Sequence, residues 1–270
     1  MENSALQPIY KTSFQLQHRD KQFTAGLCIS QHPLEVLKRH AIDFLHANEQ
    51  AYFDTLKYPK RQHSYLLGRY CAKQAVAAYL QNDGMTNVWI ENGVFQQPIV
   101  YHSHPTDVQV SISHTDALGI ALAFPEPHPM GIDVEVINET HTETIQTQLT
   151  LAEQQHAALF NNKHMFFTLL WTAKEALSKA LKCGLMIPME ILEIDEIKRK
   201  GNCWQSTFKL FQQYEARSFT LGDKVCSLVY PKETDWLLDI EAIQQVITHK
   251  HLITIIFYID KLLTNKYSYL

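Results

Sequence analysis

Three prolines at alternate positions, Pro125, Pro127 and Pro129, constrain this chain most. Proline lacks the backbone N–H that a helix interior or a central strand needs, so no regular element can run through this stretch. The chain is therefore expected to fold as two ordered halves with a boundary here: 1–125, then 126–231, followed by an extension over 232–270. Before the break, Val108–Ile112 alternates in polarity and Leu118–Phe124 is a short apolar run, so both read as strands. After it, Gly131–Ile137 reads as a third.

Helical periodicity occupies the rest. Pro33 precedes a pattern of Leu34, Leu37, Ala41, Phe44 and Leu45 that predicts a helix to about His46. Gly68, Ala72, Ala75 and Tyr79 share one face of a second helix over about 61–80, and Asn82-Asp83-Gly84 supplies its stop. In the second half, Thr150-x-x-Glu153 has the form of a capping box ahead of a helix to about Phe160. A long helix follows over about 163–182, with Gly184 placed to cap it. Alternation near Thr207–Phe211 and Lys224–Tyr230 predicts antiparallel strands, and the residues from Pro231 onward read as a helical appendix. The class is α+β, with helix-then-strand organisation in both halves.

Of the 270 residues, 46% are hydrophobic and 19% charged, enough apolar material for a core. The formal charge of −4 argues against affinity for nucleic acid through a broad basic surface, so an anionic ligand must meet a local cluster. The five cysteines, Cys28, Cys71, Cys183, Cys203 and Cys226, form no C-x-x-C pair and read as reduced thiols of a cytoplasmic protein. Residues 1–20 lack the apolar segment of a signal peptide. The longest apolar run, Leu252–Ile259, is too short to span a membrane.

Three motifs carry chemistry. In Gly131-Ile-Asp133-Val-Glu135-Val136, strand alternation puts Asp133 and Glu135 on one face, about 7 Å apart, while Ile132, Val134 and Val136 face the core. Two such carboxylates can converge on a hard cation such as Mg2+, or form a solvated acidic face. In Trp171-Thr-Ala-Lys-Glu175-Ala-Leu-Ser-Lys179, the residues Trp171, Glu175 and Lys179 stack on successive helical turns. Glu175 would supply a third carboxylate and Lys179 a counter-charge to phosphate; the plain alternative is a surface ion pair. Ser113-His114 closes a strand with a hydroxyl and an imidazole, both suited to phosphate oxygens.

In order, Ser-His at a strand end, G-I-D-x-E, and W-T-x-K-E-A-x-x-K on a helix resemble the 4′-phosphopantetheinyl transferase superfamily. The resemblance is to its long, pseudo-dimeric type, which serves peptide and polyketide synthetases, and spans about 61–230. It implies two similar α/β halves related by a pseudo-twofold, with coenzyme A in the cleft between them. By the same resemblance, Asp133, Glu135 and Glu175 match the family's Mg2+ ligands. Ser113 and His114 match its pyrophosphate-binding pair, and Lys179 the lysine beside the transferred phosphate. Arg61-x-x-x-Tyr65-Leu-Leu-Gly-Arg69-x-x-x-Lys73 resembles the helix that receives the 3′-phosphate. Gly93–Pro98 resembles a loop lying against the adenine, with Gln97 before Pro98 where some relatives carry lysine.

The implied reaction moves phosphopantetheine from coenzyme A to a serine of an apo acyl or peptidyl carrier protein, releasing 3′,5′-ADP. Neither nucleic acid nor membrane is expected as a partner. Two other readings keep the same residues: a Mg2+-dependent nucleotide phosphohydrolase, and a non-catalytic module binding coenzyme A or a carrier protein. His102-x-His104 and His249-x-His251 have spacing that metals use, but read as loop histidines. The aromatic-containing tail over 257–269 reads as packing.

Overall fold

The computed structural model describes residues 6–82 and 84–248. Leu252–Ile259, the tail over 257–269 and His249-x-His251 lie outside the described residues, as does Asp83.

The chain opens with an antiparallel hairpin, β1 (Tyr10–His18) and β2 (Lys21–Ser30). Three short helices follow, α1 (Leu34–Arg39), α2 (Ala41–Phe44) and α3 (Ala47–Asp54), before the long α4 (Pro59–Leu80). A small hairpin, β3 (Val88–Asn92) and β4 (Pro98–His102), leads to a second, β5 (Val108–His114) and β6 (Gly119–Pro125). Beyond the prolines come β7 (Gly131–Val136), α5 (Glu139–Thr147), α6 (Leu151–Gln155) and α7 (Lys163–Ala180). A meander then runs β8 (Ile194–Lys200), β9 (Cys203–Phe208), β10 (Tyr214–Leu221) and β11 (Lys224–Pro231). The short β12 (Thr234–Trp236) precedes a helical segment over 240–248.

Two five-stranded antiparallel sheets result, ordered β12-β1-β2-β6-β5 and β7-β11-β10-β9-β8. The class is α+β. The sheets share one core, in which Leu27, Ile29, Ile120 and Leu122 meet Ile132, Val134, Phe219 and Leu228. Outside it, α4 packs on the first sheet through Leu67, Cys71 and Ala75, and α7 on the second through Leu170, Ala173 and Leu177. The order is helix, sheet, sheet, helix.

Several expectations are corrected. The helix predicted to His46 is interrupted at His40 (φ −102°, ψ 8°) and again at the extended Leu45. Leu37, Ala41, Phe44 and Leu45 are all buried together against α4, so their spacing reported a shared core and not one continuous helix. Gln81 in the left-handed conformation (φ 53°) ends α4, in place of the Asn82–Gly84 stop. The stretch after Pro231 begins as a strand: β12 pairs with β1 across Leu16 and Trp236 and closes the edge of the first sheet.

The two halves repeat one plan at atomic detail. A methyl group on Gly26 would lie 2.1 Å from the Ala75 carbonyl oxygen, and one on Gly131 would lie 1.9 Å from that of Ala176. Each glycine therefore lets a long helix lie directly on its strand. Each half also contains a capping-box glutamate turned inward. Glu49 caps α3 and takes the Ile90 N–H at 3.0 Å and the Lys73 ammonium of α4 at 2.5 Å. Glu153 caps α6 and takes the Ile194 N–H at 2.9 Å and the Lys174 ammonium of α7 at 2.7 Å. Burial depresses the pKa of both lysines, and the paired carboxylate opposes that shift.

Removing one partner of such a pair leaves a buried charge without compensation, at a cost of about 3–5 kcal/mol. Lys174→Met is expected to destabilise the protein by about that amount in urea denaturation. The double variant Lys174→Met/Glu153→Gln should recover part of the loss; full additivity of the two single effects would contradict the pairing.

Candidate active site

β7 leaves the proline break as the edge of the second sheet, and its pleat sorts the motif. Ile132 and Val134 enter the core between the sheets, while Asp133 and Glu135 face α7. On α7, every residue from Phe166 to Ala180 is buried except Trp171, Glu175 and Lys179. These three lie one turn apart, so the helix opens a single stripe over the carboxylates of β7.

Ligand oxygens of Asp133, Glu135 and Glu175 all lie within 4.8 Å of one another. Asp133 is 1% exposed, and its Oδ1 receives the Lys179 ammonium at 2.6 Å and the Ser113 hydroxyl at 2.7 Å. Its Oδ2 is buried with no partner. Desolvation and then the Asp133 charge push Glu135 up to about 7. The same two causes push Glu175 up to about 8, with Lys179 and a hydrogen bond from Trp171 opposing. Three carboxylates here face one lysine, and the remaining negative charge and the orphaned Oδ2 suit a hard divalent cation.

Ser113 and His114 end β5, the edge strand of the first sheet, which runs beside β7. Ser113 Oγ also accepts the Val134 N–H at 3.2 Å, and Ser111 Oγ accepts the Ile132 N–H at 3.0 Å. His114 hydrogen-bonds Ser64 of α4 through Nε2 at 2.7 Å. Desolvation lowers its pKa, and the positive charges of Lys179 and Arg61 add to the effect. Arg61, in the first turn of α4, is exposed and lines a concavity with His63, Ser64 and His114.

The other predicted contacts of α4 are engaged within the protein. Arg69 is 11% exposed: its guanidinium stacks over Tyr65 at 4.9 Å, approaches Glu49 at 3.5 Å and reaches Asn92 at 3.4 Å. Lys73 is wholly buried on Glu49 and the Phe44 carbonyl, so it belongs to the core and not to a ligand site. Gln97 and Pro98 close the β3–β4 hairpin, where Gln97 Oε1 accepts the Phe95 N–H at 3.0 Å. Their loop and α7 form the walls of a cleft of about 590 Å3 that reaches Glu175, Ser178, Lys179 and Lys182. The His102 ring bonds the His104 N–H at 2.9 Å within its own turn.

Ser64, Ser111 and Lys182 were not singled out from the sequence. Lys182 follows Lys179 by three residues and was legible as a second cation at the helix end. The roles of the two serines depend on strands and helices distant in sequence and leave no local signal.

Residues 129–229 match the family model described as the 4′-phosphopantetheinyl transferase superfamily. The chain is 26% identical over 222 residues to the 4′-phosphopantetheinyl transferase gsp of Aneurinibacillus migulanus, covering 73% of this chain and 86% of that protein. Among solved structures, it is similar to a holo-(acyl-carrier-protein) synthase from Bacillus anthracis in complex with CoA (3′,5′-ADP), at 20% identity and a TM-score of 0.33. That match covers 41% of this chain and 96% of the other. A holo-ACP-synthase from Plasmodium yoelii matches at 18% identity and a TM-score of 0.31, over 44% of this chain and 94% of that one.

The raised carboxylates set the sign of a pH effect. A carboxyl whose folded pKa lies above its unfolded value favours folding when protonated, so that contribution shrinks as pH rises from the ordinary value of 4.5 through about 8 for Glu175. Without divalent cations, wild-type protein should lose more stability between pH 5 and 8.5 than Glu175→Gln. Added Mg2+ should diminish the difference, because a bound cation takes the place of the protons. Thermal melts across that range check both; equal pH slopes for the two proteins in chelator would contradict the clustering.

Proposed function

We propose, on the premise that this chain belongs to the 4′-phosphopantetheinyl transferase superfamily, that it moves phosphopantetheine from coenzyme A to a serine of an apo carrier protein and releases 3′,5′-ADP. The observation that carries this reading is the convergence of Asp133, Glu135 and Glu175 beside Lys179, within the segment that matches the family. Asp133, Glu135 and Glu175 would hold Mg2+, for which the unpartnered Oδ2 of Asp133 and the surplus negative charge supply the fit. Bound there, the cation would neutralise pyrophosphate charge and act as a Lewis acid.

The chain's own residues take the remaining roles. Lys179 and His114 face the same space and offset or donate to phosphate oxygens as charge moves to the leaving group. Serine is a weak nucleophile at its free pKa and needs a base. Glu175, directly or through a water, accepts the serine proton as the new O–P bond forms and the bond to the ADP oxygen breaks. Arg61, exposed in the first turn of α4, is positioned for the 3′-phosphate, since a helix N-terminus favours anions. Arg69, Gln97 and Pro98 border the adjacent cleft for the nucleotide. In this reading residues 1–125 supply the nucleotide side, 126–231 the cation site and catalytic helix, and 232–270 an extension that returns to the first sheet through β12. All five cysteines are unpaired, which fits a reducing cytoplasmic setting. Among the described residues no helix is long and apolar enough to cross a membrane.

Incubation with coenzyme A, Mg2+ and an apo carrier protein should add the mass of phosphopantetheine to the carrier. Free 3′,5′-ADP without labelled carrier would instead indicate hydrolysis. Asp133→Ala and Glu175→Gln should each lower kcat at least 100-fold with the fold retained, a loss of about 2.7 kcal/mol in transition-state stabilisation. High Mg2+ should rescue neither variant; rescue of Glu175→Gln would restrict that residue to holding the cation.

A separate comparison addresses anchoring. Arg61→Ala should raise KM for coenzyme A about tenfold with kcat nearly unchanged, and should leave KM for 3′-dephospho-coenzyme A alone. Equal losses on both substrates would remove Arg61 from the 3′-phosphate.

A further inference from the structure

Two sheets meet at this site through edge strands, and an edge strand presents backbone N–H groups with no ladder partner. Among the described residues β7 pairs with β11 on one side only, and β5 with β6 on one side only. The gap between them is closed by side chains. Ser111 Oγ accepts the Ile132 N–H at 3.0 Å, and Ser113 Oγ accepts the Val134 N–H at 3.2 Å. The two serines alternate along β5 as the two N–H groups alternate along β7, flanking Asp133 in sequence. Both are buried, at 3% and 7% exposure.

A hydroxyl has one hydrogen to give and two lone pairs to receive with. Ser113 gives its hydrogen to Asp133 Oδ1 at 2.7 Å and receives the N–H of the next residue, Val134. Its donor is committed, and the contact fixes which carboxylate oxygen remains free. With Oδ1 held by Ser113 and Lys179, Oδ2 is the oxygen left unpartnered and buried. Ser111 reaches the backbone of Ile132 with no contact to the carboxylate.

We infer that Ser113 is a positioning residue of the cation site: it orients Asp133 from the opposite half of the molecule and does not itself bind phosphate. The inference rests on the proposed cation site and departs from the pyrophosphate role that the family resemblance implies for this serine. His114, one residue on, has its ring outside the seam on Ser64 and remains a phosphate donor. Because β5 belongs to the first sheet and Asp133 to the second, this contact ties the orientation of one carboxylate of the cation site to the docking of the two halves.

The test separates a positioning hydroxyl from a phosphate ligand by measuring each ligand alone. Mn2+ affinity is read by electron paramagnetic resonance with and without 3′,5′-ADP, and 3′,5′-ADP affinity is read by calorimetry in chelator. Ser113→Ala should weaken Mn2+ about tenfold and change cation-free 3′,5′-ADP binding less than twofold. In turnover it should lower kcat without raising KM for coenzyme A. Ser113→Thr, which keeps the hydroxyl, should restore Mn2+ affinity. Ser111→Ala should lower the melting temperature about as much as Ser113→Ala yet keep Mn2+ affinity. Weakened 3′,5′-ADP binding with unchanged Mn2+ affinity in Ser113→Ala would overturn the inference in favour of a phosphate ligand. An equal Mn2+ loss in Ser111→Ala would overturn it in favour of general loosening of the seam. A wild-type protein that binds no Mn2+ in either condition would remove the cation site, and this inference with it.

Discussion

The buried glutamate–lysine pair fixes the geometry on which everything else in this molecule depends. In each half one carboxylate ends up with a cap, a strand N–H and a helix ammonium around it, Glu49 in the first and Glu153 in the second. Such a pair gives little net stability over apolar residues of the same shape, since desolvation offsets most of the attraction. What it fixes is registry. A carboxylate that must satisfy three groups from three elements restricts the rotation and height of the long helix relative to the elements it joins. The neighbouring residue on α7, Glu175, thereby points at Asp133 across a helix–strand contact that Gly131 keeps close.

The same frame built twice yields one site because the two halves differ in chemistry and not in plan. Two residues beyond Gly131 stands Asp133; two beyond Gly26 stands Cys28. The residue after Lys174 is Glu175, and the residue after Lys73 is Gln74. The first half thus presents a thiol and an amide where the second presents carboxylates, and burial keeps the Cys28 thiol protonated. Without carboxylates at those positions, the first half lines the cleft with other groups: the exposed Arg61, the His114–Ser64 pair and the two serines of β5. The cleft between the halves is consequently asymmetric, acidic on the β7–α7 side and carrying cationic and hydroxyl groups on the other.

Local pattern carried well wherever one element alone decided the outcome. The capping box at Thr150 and Glu153 forms with both reciprocal bonds. The stripe of Trp171, Glu175 and Lys179 follows from helical geometry and emerges as the open face of α7. Failures occurred where a neighbour overrode the pattern. Leu34 to Leu45 has helical spacing, but its apolar residues are buried by bending around α4. Along β1 the alternation was legible, with Tyr10, Thr12, Phe14 and Leu16 set between exposed polar residues, whereas β2 is buried without a break from Ala25 to Ser30 and shows no alternation. Arg69 and Lys73 illustrate a harder limit. Their spacing from Arg61 suggests one basic face, yet Glu49, 20 and 24 residues away in sequence, draws Arg69 against itself at the cleft wall and takes Lys73 wholly into the packed interior.

By itself the sequence determined the convergence of functional groups within single elements. Asp133 with Glu135, and Glu175 with Lys179, are fixed by the periods of two and of about four residues per repeat. Short-range backbone geometry is enough for that. Only the tertiary structure decided which of these pairs face each other, which cations stay available, and that Ser113 spends its hydroxyl on Asp133. Those outcomes depend on contacts between residues 20 or more apart. Such contacts are selected by burial and by the need to satisfy every buried polar group at once, a condition on the whole fold that no local segment encodes.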